Sequence, residues 1–283
     1  MLTNREIVSI ILLGLLLFLC LVKTDFRKSL REIVYTFLQH KIVIVILIFL
    51  AYAALLVWLA AQIGLWDFKL FKDTVFTTLV VGFPMMFGAT QVKDGAYLVR
   101  KVALATIGAS AFVAFYLNLV SFNLMGEFLL QIVVAFAAIL SVAAKHQGSA
   151  SLVVGRIMDC VLAVIGLVLL MVTTVKLHAN WQDMDLKTTG LTFAMSIWLP
   201  LALLPFIYVL SFYAATESVF IMLPFFNERK KANWKVRLAI FIGFHVSVRY
   251  ASNFTGQWRA EVASLTSYRA TREVMRRYRS GHE

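Results

Sequence analysis

Residues 42–62 read IVIVILIFLAYAALLVWLAAQ, twenty-one residues without a single charge. A run of that length crosses the ~30 Å hydrocarbon core of a bilayer as one α-helix. Six more stretches qualify by length and apolar content: about 7–22, 74–92, 102–122, 128–144, 157–177 and 190–213. The chain is therefore expected to be all-α, a polytopic membrane helix bundle of about seven transmembrane helices. The first stretch resembles a secretory signal, but its early flank holds one Arg and one Glu, and no small-x-small cleavage site follows Cys20. It is expected to be retained. Of the 283 residues 61% are hydrophobic and only 15% are charged, against ~25% in soluble domains, which excludes a soluble enzyme, a disordered chain and a disulfide scaffold. Cys20 and Cys160 sit inside apolar runs and read as small packing residues.

The basic residues orient the bundle. Of 27 Lys and Arg, 22 lie on one side of these spans; the other side holds only Arg5, Lys69, Lys72, Lys176 and Lys187. Positive charge collects in the cytoplasm. The expected localisation is a bacterial inner membrane, with the N-terminus outside and the C-terminus cytoplasmic. The outer loops 63–73 and 178–187 are short, and Trp66 and Trp181 suit the interfacial aromatic belt. The seventh apolar stretch runs on to Phe226 through Pro200, Pro205 and Pro224. It reads as a kinked span continuing inward, or as a span followed by an interfacial helix.

Two domains follow: a transmembrane helical domain, 1–227, and a basic cytoplasmic helical module, 228–283. The module holds 12 Lys and Arg against Glu228, Glu261, Glu273 and Glu283, hence +8 of the chain's +12. So small a module has little core of its own. It is expected to pack across an oligomer axis or against the cytoplasmic loops. Residues 234–250 are apolar, but Arg237, His245 and Arg249 make them a poor eighth span. Residues 258–279 predict one helix. Trp258, Val262, Leu265, Arg269, Arg272 and Arg276 recur at spacings of 4, 3, 4, 3 and 4 and share a face, apolar first and basic after. With Arg249 and Arg259 these residues form a candidate ligand-binding site. Arginine offers phosphates a planar donor fork, and aromatic rings stack on bases. The alternatives are a basic surface lying on anionic lipid headgroups, each charge contributing ~1 kcal/mol, and a site for an acidic protein partner.

Enzyme chemistry finds no footing. The five histidines are scattered, with no metal-ligand spacing, and no nucleophile elbow, phosphate loop or dinucleotide-binding glycine pattern occurs. No catalytic residue, metal or cofactor is expected. Ionisable groups inside spans are functional candidates by default. Asp159 is one, with Arg156 as its expected partner three residues earlier; Glu217, in TESVFIMLPFF, is another. Pro84, in VGFPMMFGA, is a candidate kink or gate. Asn118, Ser121, Asn123, Glu127 and Gln131 cluster near the outer leaflet, where they hydrate a vestibule or join neighbouring helices.

Gly64-Leu65-Trp66-Asp67, followed by Leu70, Lys72, Asp73 and Thr74, resembles a motif of bacterial multi-span proteins from defence loci. The chain is similar in type to the membrane-channel effector of the Hailong anti-phage system. The motif covers eleven residues; beyond it the likeness is one of architecture. The resemblance implies an oligomeric, ion-channel-like protein. A nucleotide-derived oligomer from a partner nucleotidyltransferase would hold it closed, and its opening during infection would depolarise the host. The expected function is thus a regulated channel-like effector, a homo-oligomer among membrane lipids, gated by a nucleotide or single-stranded oligonucleotide. The alternatives are a secondary transporter using Glu217 or Asp159, and a membrane anchor for a soluble partner.

Overall fold

The computed structural model describes residues 3–22, 24–107, 115–116, 119, 122–146, 152–179, 185–227 and 233–281. Among these residues there is no strand. The helices are α1 (Asn4–Val22), α2 (Thr24–Phe37), α3 (His40–Gln62), α4 (Phe68–Gln91), α5 (Gly95–Ile107), α6 (Leu124–His146), α7 (Leu152–Ala179) and α8 (Leu186–Met222), followed by a 3₁₀ turn, Leu223–Phe226. Four more close the chain: α9 (Trp234–Gly243), α10 (Val248–Asn253), α11 (Gln257–Ala263) and α12 (Tyr268–Ser280). Among the described residues five helices, α3, α4, α6, α7 and α8 with its 3₁₀ turn, are long and apolar enough to cross a bilayer. The sequence led us to expect seven. Helix α1 falls outside the five, and most of the expected span at 102–122 lies outside the described residues.

The chain divides into two compact units, residues 1–46 with 109–186 and residues 47–108 with 187–283. In the first unit α6 and α7 form a hairpin. A Cβ on Gly155 would stand 3.3 Å from Lys145 Cγ and 3.5 Å from the Ser141 carbonyl oxygen, so the missing side chain lets the two helices approach closely. Helix α1 packs on α6 through polar groups. Arg5 Nε lies 3.2 Å from a carboxylate oxygen of Glu127, a side chain with no exposed surface. The Gln131 amide donates to the Arg5 carbonyl (3.0 Å), Ser9 donates to Gln131 (3.2 Å), and the Asn4 amide donates to the Phe122 carbonyl (2.9 Å). Glu127 and Gln131 therefore join helices. Both α1 and α6 begin at this cluster, so they run parallel.

In the second unit α4 lies along α8 in the same direction. Thr192 donates to Asp73 at 3.4 Å, Thr74 packs its hydroxyl on Met195, and further along Gly82 faces Leu203. Helix α3 runs the opposite way: Phe49 stacks edge-on against Phe83 and packs on Phe206, while the Tyr52 hydroxyl donates to the Ala202 carbonyl at 3.1 Å. That carbonyl is next to the one Pro205 leaves without its helical donor. A Cβ on Gly82 would fall 2.9 Å from Phe49 Cζ, so glycine is what admits the ring. Just before Pro84 the turn widens: the Phe83 N–H donates five residues back, to Thr78. Proline has no N–H for the Val80 carbonyl, and a π turn accommodates the loss.

Helix α8 is 37 residues long, ~55 Å at 1.5 Å per residue, against ~30 Å for one crossing. It continues unbroken past residue 213, which excludes a separate interfacial helix there. Its surplus has partners. Phe212, Val219 and Leu223 enter one core with Val236 and Ile240 of α9, Val262 of α11 and Met275 and Tyr278 of α12. A fully buried side chain of this kind contributes about 1.5–3 kcal/mol. Helix α9 follows α8 closely: Arg237 lies over the Phe220 ring at 4.8 Å, and Phe241 packs on Phe212 at 5.3 Å. Gly243 brings α9 against α12, since a Cβ there would lie 2.8 Å from Met275 Cγ. The Ser252 hydroxyl donates to the Lys93 carbonyl at 3.0 Å, fastening α10 to the turn between α4 and α5.

Candidate anion-binding face

The expected single helix over 258–279 is broken. Helix α11 ends at Ala263 and α12 begins at Tyr268. Ser264, Thr266 and Ser267 occupy the gap, and side chains of this kind compete for backbone hydrogen bonds. The Ser264 hydroxyl donates to the Glu261 carbonyl at 2.9 Å, and Ser267 is the N-cap residue of α12. The proposed face separates accordingly. Val262 is fully buried, Leu265 is packed against the core, and Trp258 is half-buried with its ring edge-on to Tyr278 at 5.5 Å. The apolar half of the expected face is core rather than a stacking platform.

The basic half survives as a surface of α12. Thr271, Val274, Met275 and Tyr278 form its buried side, and Arg269, Arg272 and Arg276 stand exposed on the opposite side. Among the described residues none of the three arginines has an ion-pair partner. Arg249 is exposed on α10, a different helix. Arg259 is half-buried, and its Nε donates to the Phe254 carbonyl at 2.5 Å, closing the end of α10. That burial lowers its pKa from the usual guanidinium value. Arg277 pairs with Glu261 of α11.

Tyr278 anchors the far side of α12. It meets Phe254 edge-on at 5.0 Å, and its hydroxyl donates to the Tyr250 carbonyl at 2.9 Å. Burial, and secondarily Tyr250, push its pKa up to about 12. An unfolded tyrosine titrates near ~10. The raised value favours the folded state fully below pH ~10, and this contribution is lost as pH climbs from there to about 12. The C-terminal core should therefore hold to about pH 10 and loosen above it. Tyrosinate absorbance of the folded protein should show a late-titrating group that Tyr278→Phe removes. An unchanged titration curve in that variant would contradict the assignment.

Of the three pore or gate candidates one lies in the first unit and two in the second. Asp159, on α7 in the first unit, pairs with Lys145 of α6 at 2.7 Å and accepts a hydrogen bond from Ser141 at 2.6 Å; its partner is not Arg156. Pro84 is exposed after the π turn of α4, near the level of Leu203. Glu217 is half-buried on α8, fourteen residues beyond Leu203, in the part that packs with the C-terminal helices. Asn118, Ser121 and Trp181 lie outside the described residues. The Gly64–Thr74 motif has local work to do: Gly64, at φ +75°, ends α3, with Gly64 and Leu65 N–H groups returning to Ala61 and Ala60. Trp66 Nε1 donates to Thr74 at 2.8 Å, and Leu70 is fully buried against Met195 and Leu199.

No protein-family model matches the chain, and no match was found among curated proteins or solved structures.

Proposed function

We propose that this chain is a regulated, ion-channel-like membrane effector that senses an anionic ligand, a nucleotide or short single-stranded oligonucleotide, at its C-terminal helices. In this proposal it is not an enzyme. It works as a homo-oligomer in a bacterial inner membrane, with about seven crossings, the N-terminus outside and the basic end in the cytoplasm. The observation that carries the proposal is the double role of α12. Its exposed side presents Arg269, Arg272 and Arg276, and its buried side shares a core with the surplus turns of α8. A ligand that moves α12 therefore acts on a helix that also enters the bilayer. Arginines one turn apart repel, and a polyanion relieves that repulsion. The ligand shifts a closed–open equilibrium to the extent that the two states space these charges differently. The crossing count is supported by the parallel pairing of α1 and α6, which an odd number of crossings between them would give.

The test is ion flux through the purified full chain in liposomes, with a short single-stranded oligonucleotide added to the side that bears the C-terminal helices. Flux should change with saturating oligonucleotide and should not respond in the Arg269→Ala, Arg272→Ala, Arg276→Ala variant. Equal flux with and without bound oligonucleotide would overturn the gating proposal.

A further inference from the structure

Helix α2 joins α1 to α3 and presents two unlike faces. Phe26, Leu30, Val34 and Phe37 recur at spacings of 4, 4 and 3, which puts them on one stripe. Phe26, Val34 and Phe37 keep 54%, 53% and 42% of their surface exposed, and Leu30 is half-buried. Polar residues surround the stripe. Arg27 and Arg31, one turn apart, line one flank, and Ser29 and Thr36 line the other. Lys28 and Glu32 share the opposite side, where their charges offset each other. All six of these polar side chains are exposed.

The connection to α3 fixes the level of this helix. Only Leu38 and Gln39 separate α2 from α3, one of the five helices able to cross a bilayer. The Leu38 N–H still donates to the Val34 carbonyl at 3.0 Å, and the Gln39 carbonyl already accepts from the Ile42 and Val43 N–H groups at 2.9 and 3.0 Å. Helix α2 therefore ends where the crossing helix meets the headgroups. Neither solvent suits the whole of α2. Hydrocarbon rejects Arg27, Lys28, Arg31 and Glu32, and water rejects a stripe of large apolar side chains. The plane between them accommodates both faces. A guanidinium beside the stripe reaches a lipid phosphate while its methylene stem stays on apolar surface.

From this arrangement we infer that α2 lies in the plane of the membrane surface, with Phe26, Leu30, Val34 and Phe37 among the lipid chains and Arg27 and Arg31 on the phosphates of anionic lipids. The charge of the segment selects that class of lipid: residues 23–41 carry Lys23, Arg27, Lys28, Arg31 and Lys41 against Asp25 and Glu32. On the proposed topology this surface is the cytoplasmic leaflet, the one that carries anionic headgroups. A second copy of the chain would cover the stripe but supply poor counter-charge, since Glu32 of its α2 faces away from such a contact. Lipid phosphates supply it directly. The inference concerns lipid binding alone and does not rest on the gating proposal.

The experiment places one nitroxide label on the full chain in liposomes of phosphatidylcholine and phosphatidylglycerol in equal parts. The label sits at Val34→Cys or at Tyr35→Cys, with Cys20→Ala and Cys160→Ala removing the native thiols. Both labelled positions are exposed, and Tyr35 belongs to the polar side of the helix. Collision with oxygen, which concentrates in lipid, is compared with collision with a water-soluble nickel chelate. The oxygen-to-nickel ratio should be about fivefold higher at Val34 than at Tyr35. Adding Arg27→Gln and Arg31→Gln, or omitting phosphatidylglycerol, should lower the Val34 ratio about twofold. Equal ratios at the two positions, with nickel reaching both, would place the stripe in water and overturn the inference. Exclusion of both reagents at Val34, with dipolar broadening between labels, would do the same by placing a second copy over the stripe. A Val34 ratio indifferent to phosphatidylglycerol and to the two glutamines would overturn the assignment to anionic lipid. Both leaflets carry the same lipids, so the result does not depend on which way the chain inserts.

Discussion

Replacing Arg269, Arg272 and Arg276 together with alanine should weaken binding of a short single-stranded oligonucleotide roughly a hundred- to a thousandfold. Each exposed guanidinium is available for charge-assisted hydrogen bonds, about 1.5–3 kcal/mol apiece where the partner is ionised. Three at the low end, discounted for non-additivity, give that range. The salt dependence should fall with it: single-stranded nucleic acid loses ~0.7 in log–log slope per phosphate contact, so the slope should drop by about two. Folding should be nearly untouched, because the three side chains leave α12 on the side opposite Thr271, Val274, Met275 and Tyr278. Filter binding across a salt series, beside thermal unfolding of the same preparations, reads both quantities. An unchanged affinity and slope would remove the ligand from this face.

Glu127→Ala should be the most damaging single substitution outside the C-terminal helices. The carboxylate has no exposed surface, and it serves both Arg5, at 3.2 Å, and the Phe122 N–H, at 3.0 Å. Removing one partner of a buried ion pair costs about 3–5 kcal/mol, because the other charge stays behind. Arg5 keeps about a quarter of its side chain exposed, which puts the cost at the low end. The unfolding midpoint in detergent should fall on the order of 10 °C. The double variant Arg5→Met, Glu127→Met should recover most of that loss, since two apolar side chains leave no stranded charge. A single variant as stable as the parent would mean that the pair does not hold α1 to α6.

What was legible in the sequence follows from what the solvent demands. Lipid requires uninterrupted apolar runs, so α3, α4, α6, α7 and α8 could be read within a few residues at most ends. The end of the α8 crossing could not. A helix that leaves the bilayer only to enter a protein core meets a second apolar surrounding, and Phe212, Val219 and Leu223 read like lipid-facing residues. Pairings across helices were equally hidden. Asp159 has a basic neighbour three residues away, yet Lys145 of the preceding helix takes it; Glu127 finds Arg5 across 122 positions. In the candidate site the arginine row was legible because it lies within one helix. The break before it was signalled by Ser264, Thr266 and Ser267, which the regular 4-3-4-3-4 spacing obscured. The turn at His245 and Val246 carried no pattern, because no glycine announces its two positive φ angles.

The length of α8 has a mechanical consequence. From Tyr208, level with Gly95 at the end of the turn after α4, to Met222 is fourteen residues, a rod of ~21 Å. A tilt of ~10° about the Tyr208 level sweeps its tip through roughly 4 Å, while side chains near the pivot barely move. The C-terminal core thus sits on the shorter arm of α8, since Leu186 lies twenty-two residues, ~33 Å, on the other side of Tyr208. A rigid rotation that moves Leu223 by a few ångströms moves Leu186 about half as far again, so a small shift in the C-terminal core is enlarged at the start of the helix.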